Sequence, residues 1–199
     1  EAQPDAYSYA IEEFEHEQFD VDIAARHFGA KGRLVDFLAR LRDAGISNAR
    51  GVVDRDHDFF IERRERKKNL KYHEYTELEW YAFPPESLRR FLSSLTRRGL
   101  EQPLFDSIIE TSKIVSISQI ARSITDLSAQ LPNVDGFIDR NGVFDQARYD
   151  AVVAQILGLT VLQYNDLSIS IRNQMPNDFR KAIKFKTLKE CALAVLKKT

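Results

Sequence analysis

Apolar residues recur along the chain with two different spacings. Intervals of three and four residues between positions 5 and 14, and again between 33 and 44, predict two amphipathic helices. The short apolar segments around Val21–Ile23 and Val52–Val53 predict strands, and two adjacent valines are typical of a strand buried on both faces. Because helix, strand, helix and strand follow one another, the pattern predicts βαβ units and a parallel α/β sheet.

The rest of the chain has a mainly helical pattern. A strand-like segment at Leu70–Tyr75 precedes a helix start near Thr76, and helical spacing then continues from residue 84 to about residue 131. The Asn141–Gly142 pair predicts a turn between two short strands, and a helix from Asp145 to Leu157 follows.

These elements predict an α/β core with a helical elaboration. Residues 1–83 form the core, residues 84–176 a mainly helical insertion, and residues 177–199 a C-terminal helix, or helix pair, that returns to the core. The chain starts at Glu1 without the apolar strand that usually opens such a core. We therefore expect the first strand to precede Glu1.

The composition is typical of a globular protein. Of 199 residues, 43% are hydrophobic and 30% charged, and no apolar run approaches the roughly 18 residues that cross a bilayer. The start of the chain lacks the basic and apolar segments of a secretory signal. The single cysteine, Cys191, excludes an intramolecular disulfide and lies among apolar residues, so we expect it to be buried. These features favour a cytoplasmic protein.

Basic residues are concentrated in two places, although the net charge is only −1. One is the stretch from Arg172 to the end of the chain. The other is the run RRERKK, which contains Arg63, Arg64, Arg66, Lys67 and Lys68. A local basic patch can bind nucleic-acid phosphates without a basic overall charge. Solvated helix faces have the same composition, so both interpretations remain open.

The stretch GVVDRDHDFF contains the strongest candidates for chemistry. Asp54 and Asp56 directly follow the valine strand, at the edge where open parallel sheets bind ligands. Residues i and i+2 of an extended segment point the same way, so both carboxylates can face one cation. Oxygen ligands suit Mg²⁺ or Mn²⁺. On this geometry His57 points away. A solvated loop after a strand is the alternative interpretation.

Three further carboxylates are candidates for the same edge. Holding two cations about 4 Å apart requires ligands from several segments of the chain. Glu1 and Asp5 are spaced by one helical turn at a predicted loop–helix junction, and Glu79 begins a predicted helix. In a parallel sheet all three can meet Asp54 and Asp56. A helix cap for Asp5 and a first-turn acid that favours the helix dipole for Glu79 are the structural alternatives.

The motifs Glu1-x-x-x-Asp5, GVVDRD and ELE together resemble those of a TOPRIM domain. The chain is most similar to the nucleases of OLD-type proteins and to TOPRIM effectors that are paired with ABC-type ATPases in anti-phage systems of the PARIS type. In that family a glutamate follows the first strand, and a D-x-D motif follows a later one. A Leu-Glu motif lies further downstream, which matches Leu78–Glu79.

The resemblance implies a role for each matched residue. The metal ligands that it implies are Glu1, Asp5, Asp54, Asp56 and Glu79, of which Glu1, Asp54 and Asp56 are also catalytic. Glu1 and Asp5 would hold a second metal ion or orient the attacking water. The segment IKFKTLKECALAVL is similar to the C-terminal lysine segment of these nucleases, so Lys186 would stabilise charge in the transition state.

The implied activity is the hydrolysis or nicking of nucleic-acid phosphodiesters, supported by Mg²⁺ or Mn²⁺. The substrate would be DNA or RNA, with tRNA among the candidates, and the basic residues 63–68 and the basic C-terminal segment would hold its backbone. An ABC-type ATPase is the implied partner, and a homodimer is a further expectation.

Two alternatives to a nuclease follow from the same residues. A catalytically silent TOPRIM-like module could dock on an ATPase through its helical insertion while the carboxylates bind a structural cation. A phosphotransfer receiver domain also clusters acids at strand ends, but the long helical middle of this chain argues against that regular five-unit fold.

Overall fold

The computed structural model of the chain describes residues 31–55, 57, 60, 69–77, 79–96, 99–125 and 127–198. The helix predicted between positions 5 and 14 and the strand predicted at Val21–Ile23 lie outside these ranges. Within them, no helix combines the length and the apolar character that crossing a membrane requires.

Helix α1 (Lys31–Asp43) matches the helix predicted from apolar spacing, and a glycine ends it. Gly45 has a φ of 83°, in the left-handed region that other residues rarely adopt. Its N–H donates to the carbonyl of Arg42, and the N–H of Ile46 donates to the carbonyl of Leu41. This Schellman arrangement satisfies carbonyl groups that the end of the helix would otherwise leave unpaired.

Strands β1 (Gly51–Val53) and β2 (Leu70–Tyr72) pair in parallel, and their last residues, Val53 and Tyr72, lie opposite each other. A parallel sheet, as predicted, is present with two strands among the described residues, although the sequence did not predict that these two strands pair. Because the strands are parallel, the residues that follow Val53 and Tyr72 emerge at the same edge of the sheet.

Helix α1 packs against β1 at a glycine. A β-carbon on Gly51 would lie 2.8 Å from Cδ1 of Leu38, closer than real β-carbons come, and 3.0 Å from Cδ2 of Leu34, which is a tight contact. A side chain at this position would force the ends of Leu34 and Leu38 to move, so the glycine permits this close packing. Leu38 and Val53 are both buried beneath this contact.

Six further α-helices and two short 3₁₀ helices follow, so the described fold is mixed α/β. The α-helices are α2 (Glu79–Ala82), α3 (Pro85–Thr96), α4 (Gln102–Ile124), α5 (Gln146–Ile156), α6 (Val161–Gln174) and α7 (Phe185–Leu196), and the 3₁₀ helices are Val134–Phe137 and Phe179–Lys181.

Several of these elements match the sequence patterns. The predicted strand–turn–strand is an isolated antiparallel bridge between Ile138 and Phe144. Asp145 caps α5, because its side chain accepts a hydrogen bond from the N–H of Arg148. Helix α6 was not predicted as a separate element, although Thr160 and Gln163 form a capping box at its start.

Helix α4 lies at the centre of the helical part and contacts both α6 and α7. Ile108 is in one cluster of buried side chains, with Leu88 and Leu188, whereas Ile117 is in a second, with Tyr164. Since α4 is covered on more than one side, its apolar residues do not form a single stripe. The hydroxyl of Ser112, also buried, donates to the carbonyl of Ile108 at 2.7 Å.

The segment after β2 is joined to the C-terminal segment by buried hydrogen bonds, which we call the Thr76–Trp80 lock. The Thr76 hydroxyl lies 2.7 Å from the carbonyl of Ile183 and 3.1 Å from that of Arg180. The indole N–H of Trp80 donates to the same Ile183 carbonyl at 2.7 Å, and the Thr76 N–H donates to Arg180. Thr76, Trp80 and Ile183 have no measurable solvent exposure, so these bonds are shielded from water.

Cys191 lies inside the core next to the lock, as expected. It belongs to the same buried cluster as Trp80 and Leu188. Burial raises the pKa of its thiol to about 12, although the hydroxyl of Ser112 opposes that shift. The thiol is therefore protonated at neutral pH.

We predict that Thr76→Val lowers the free energy of unfolding by about 1–3 kcal/mol, because it removes the hydroxyl from a buried hydrogen-bonding group. Urea denaturation measures this change. Thr125→Val is the matched control, since the Thr125 hydroxyl also contacts two carbonyls, but only within the last turn of its own helix. Equal losses in the two variants would contradict a special role for the lock.

Candidate active site at the carboxyl edge of the sheet

Asp54 and His73 meet at the edge where both strands end. Each directly follows the last residue of its strand, and the parallel register places the two positions side by side. The Asp54 Oδ1 atom lies 2.6 Å from the Nε2 atom of His73. This contact joins Asp54, which its motif predicts to be a site residue, with His73, which no motif predicts.

The two side chains differ sharply in exposure. The His73 side chain is 2% exposed, whereas that of Asp54 is 47% exposed. A carboxylate only accepts hydrogen bonds, so the Nε2 atom of His73 donates to Asp54. The backbone N–H of His73 donates to the carbonyl of Val53. The imidazole ring forms an edge-to-face contact with the Tyr81 ring, with 5.9 Å between the ring centres. The histidine is thus held inside the protein while the carboxylate faces solvent.

The residues that follow Asp54 and His73 in the sequence, Arg55 and Glu74, make further polar contacts beside this pair. The Arg55 guanidinium donates to the carbonyl of Glu74 at 3.1 Å, and the N–H of Glu74 donates to the hydroxyl of Tyr81 at 3.1 Å. The carboxylate of Glu74 also forms an ion pair with Lys181 of the C-terminal segment. The edge of the sheet and the C-terminal segment therefore meet beside Asp54 and His73.

Arg180 is held by two neighbours. Its guanidinium forms two hydrogen bonds with the carboxylate of Asp178, at 2.9 and 2.7 Å, and lies 4.3 Å from the centre of the Tyr75 ring. Partial burial raises the pKa of Asp178, but its hydrogen bonds with Arg180 outweigh this effect and bring the pKa below its usual value. Because Arg180 and Lys181 both pair with carboxylates, they add less positive charge to this edge than the sequence suggests.

Glu77 contacts the start of α7. Its carboxylate accepts a hydrogen bond from the N–H of Lys186 at 3.3 Å. The N-cap residue, Lys184, makes no side-chain capping bond, so Glu77 satisfies a donor that the helix end exposes. Burial raises the pKa of the Glu77 carboxyl, and the bond from Lys186 and the charge of Lys184 only partly offset this rise.

The structure describes three of the residues that the motifs selected. Asp54 lies at the strand end, as predicted. Glu79 is the first residue of α2 and is exposed, and Lys186 is exposed in the first turn of α7. The bond between Glu77 and Lys186 brings the segments of Glu79 and Lys186 next to each other. Their roles in catalysis stay predictions.

The other selected residues lie outside the described residues. They are Glu1, Asp5, Asp56 and the basic residues Arg63, Arg64, Arg66, Lys67 and Lys68. Whether Glu1, Asp5 and Asp56 share an edge with Asp54 therefore also stays a prediction.

The described residues supply part of a site for Mg²⁺ or Mn²⁺. A half-exposed carboxylate that is oriented by a hydrogen bond is a suitable oxygen ligand for either ion. Within the described ranges, no three histidine, cysteine, aspartate or glutamate side chains come together as a metal-binding group. Asp54 fits the metal hypothesis as one ligand, and the remaining ligands would come from Glu79 and from Glu1, Asp5 and Asp56, the last three of which lie outside the described residues.

His73 is the residue of this edge that the motifs did not select. The sequence contains only part of the signal for it: LKY is followed by His73 as GVV is followed by Asp54, but no local pattern shows that the two segments pair. If two strands are parallel neighbours, the first polar residue after each one is a candidate for the same site. The pairing of β1 with β2 is what places Asp54 and His73 at the same edge.

Comparisons of the chain with family models, with curated proteins and with solved structures found no match. The interpretation of this edge therefore depends on its own residues and on the motif resemblance.

We predict that Glu77→Gln changes how stability depends on pH. The pKa of Glu77 is raised in the folded state above its ordinary value of 4.5. The folded state thus holds the proton more tightly, and that contribution to stability is present below pH 4.5 and is lost as pH rises through the folded pKa. Glutamine does not titrate, so the Glu77→Gln variant does not lose stability in this way as the pH rises. The stability of Glu77→Gln relative to the wild type should therefore rise with pH in this range.

Urea denaturation of both proteins between pH 4 and pH 7 measures this difference. The slope for a single proton is at most about 1.4 kcal/mol per pH unit, so the divergence should stay below that limit. Parallel stability curves would show that burial of Glu77 does not penalise its charged form.

Proposed function

We propose that the protein is a divalent-metal-dependent nuclease with a TOPRIM-like core, and that Asp54 is one of its metal ligands. The observation that carries this proposal is the half-exposed Asp54 carboxylate at the carboxyl end of a parallel strand, where it is hydrogen-bonded to buried His73. Ligands of open parallel sheets bind at this edge. The motif resemblance supplies the reaction, which is cleavage of nucleic-acid phosphodiesters with Mg²⁺ or Mn²⁺.

This proposal assigns metal binding and charge stabilisation to different residues of the chain. Asp54, Asp56 and Glu79 bind one metal ion, and Glu1 and Asp5 bind a second ion or orient the water. The bound ions neutralise charge on the phosphodiester. Lys186, exposed at the start of α7, stabilises the charge that develops during cleavage.

Further parts of the proposal concern the biological setting. The substrate is DNA or RNA, possible substrates including tRNA, and the run at residues 63–68 holds its backbone through phosphate contacts. The resemblance also supports a role in anti-phage defence in the cytoplasm, with an ABC-type ATPase that controls the nuclease. A homodimer belongs to the same set of proposals.

We predict that Asp54→Ala lowers the rate of metal-dependent cleavage at least about 100-fold, because it removes a metal ligand. The assay incubates the protein with Mn²⁺ or Mg²⁺ and either plasmid DNA or a tRNA pool, without and with a co-expressed ATPase partner. Lys186→Ala should lower the rate while leaving metal binding intact.

Asp36→Ala is the matched control, because Asp36 is an exposed aspartate on α1, outside the proposed metal site. It should cleave as the wild type does. Equal cleavage by the Asp54→Ala variant and the wild type would remove Asp54 from the catalytic site. Metal binding without cleavage of any nucleic acid would instead support the catalytically silent binding module.

One observation supports the docking step that this second candidate requires. Helix α6 exposes large apolar side chains, with Leu162 at 71%, Ile169 at 57% and Val161 at 49% exposure. Exposed apolar residues of this size on one helix are typical of surfaces that contact another protein. A binding module would use this helical part to dock on its ATPase partner, and a nuclease under ATPase control could use it in the same way.

A further inference from the structure

His73 is a buried, chemically capable residue at the proposed metal site that no motif selected. We propose that His73 is a positioning residue, which holds the Asp54 carboxylate in the orientation that binds the divalent cation. This inference rests on the proposed nuclease function and adds a residue to its metal site. It is carried by the 2.6 Å contact between Nε2 of His73 and Oδ1 of Asp54.

The geometry of this contact is that of a hydrogen bond and not of two neighbouring metal ligands. Two ligand atoms at 2.0–2.1 Å from one ion and at right angles would lie about 2.9 Å apart. The observed distance of 2.6 Å is shorter than this separation and lies close to the lengths of about 2.7–2.9 Å that hydrogen bonds from a charged nitrogen to a carboxylate have. A nitrogen that donates its proton to Asp54 also has no lone pair for a cation. His73 therefore acts on the metal through Asp54.

The surroundings of His73 make it a rigid donor. Its side chain is almost completely buried, and its ring packs against Tyr81. Its backbone N–H donates to the carbonyl of Val53 in the neighbouring strand. The other ring nitrogen, Nδ1, is buried without a hydrogen-bond partner among the described residues. The bond to Asp54 is thus the polar contact that orients the ring, and it holds one carboxylate oxygen in return.

The consequence for Asp54 concerns its freedom to rotate. Its side chain is half exposed, so packing alone does not restrict it to one rotamer. The bond from His73 occupies Oδ1 and directs the carboxylate before any ion binds. Hydrogen bonds of this kind to ligating side chains commonly change metal affinity 10–100-fold when they are removed.

Mn²⁺ binding tests this role directly. Titrations followed by electron paramagnetic resonance measure the dissociation constant for the wild type, His73→Leu, His73→Gln and Asp54→Ala. His73→Leu should weaken Mn²⁺ binding about 10–100-fold, since leucine fills the buried space without donating a hydrogen bond. His73→Gln places an amide N–H near the position of Nε2 and should restore most of the affinity.

The control for lost stability is Ser118→Ala, which removes the buried hydrogen bond between the Ser118 and Tyr164 hydroxyls that joins α4 to α6. It should bind Mn²⁺ as the wild type does. Cleavage provides a second measurement, because the defect of His73→Leu should largely disappear at saturating Mn²⁺ if the residue acts through metal affinity.

The outcomes separate the two proposals. Unchanged Mn²⁺ affinity in Asp54→Ala would remove Asp54 from the metal site and overturn both the proposed function and the role of His73. Lost affinity in Asp54→Ala, together with unchanged affinity in His73→Leu, would overturn the role of His73 alone. Equal affinity in His73→Leu and His73→Gln would also overturn it, because only glutamine keeps a donor.

A measurement on the wild type covers the case in which His73→Leu fails to fold. Nitrogen-15 NMR of histidine-labelled protein reports which ring nitrogen carries the proton. His73 should keep its proton on Nε2 before and after Mg²⁺ is added. Loss of that proton on Mg²⁺ binding would show that His73 is itself a ligand, and the positioning role would be overturned.

Discussion

The carbonyl of Ile183 is the point at which the two parts of this protein are joined. It accepts hydrogen bonds from both the Thr76 hydroxyl and the Trp80 indole, in a place without solvent exposure. Thr76 follows the second strand by only a few residues, whereas Ile183 precedes the last helix. Buried hydrogen bonds of this kind are costly to break because their partners would be left without water. The position of α7 relative to the sheet edge therefore depends on them.

Several weaker contacts join the same two segments of the chain. Lys181 pairs with Glu74, Arg180 covers Tyr75, and Glu77 accepts from the start of α7. Each of them connects the segment after β2 with the C-terminal segment, and each is partly exposed, so its own contribution is modest. Together with the lock, they keep the basic C-terminal segment beside Asp54 and His73. This is the arrangement that a nuclease would need if Lys186 is to reach a phosphodiester near Asp54.

Local patterns predicted much of the secondary structure. Apolar spacing identified α1, and Gly45 marked its end, because both signals depend on nearby residues. Helix α6 escaped prediction, since its buried residues Tyr164 and Ile171 are separated by polar and exposed apolar positions, and only its capping box marks it. Helix α4 lacks a single apolar stripe for a different reason, because that helix is buried on several sides.

Predicting the site was harder because it depends on which strands are neighbours. Asp54 could be predicted from GVVD alone, as an acid that follows a buried strand. His73 could not, because nothing in LKYH shows that this segment pairs with GVV, and long-range pairing is not encoded in local spacing. The same reason explains why the contact between Glu77 and α7 was not predicted. Which glutamate reaches α7 is decided by the lock, and the lock joins residues about a hundred positions apart.

The buried state of Cys191 has a practical consequence for work on this protein. Its thiol is covered by the core and remains protonated at neutral pH, so it reacts slowly with maleimides and other thiol reagents. It is also the one cysteine in the sequence. A cysteine placed on the surface would therefore be labelled selectively without replacing Cys191. A spin label or fluorophore on α6 or near the sheet edge could then follow partner binding and metal binding in the otherwise unmodified chain.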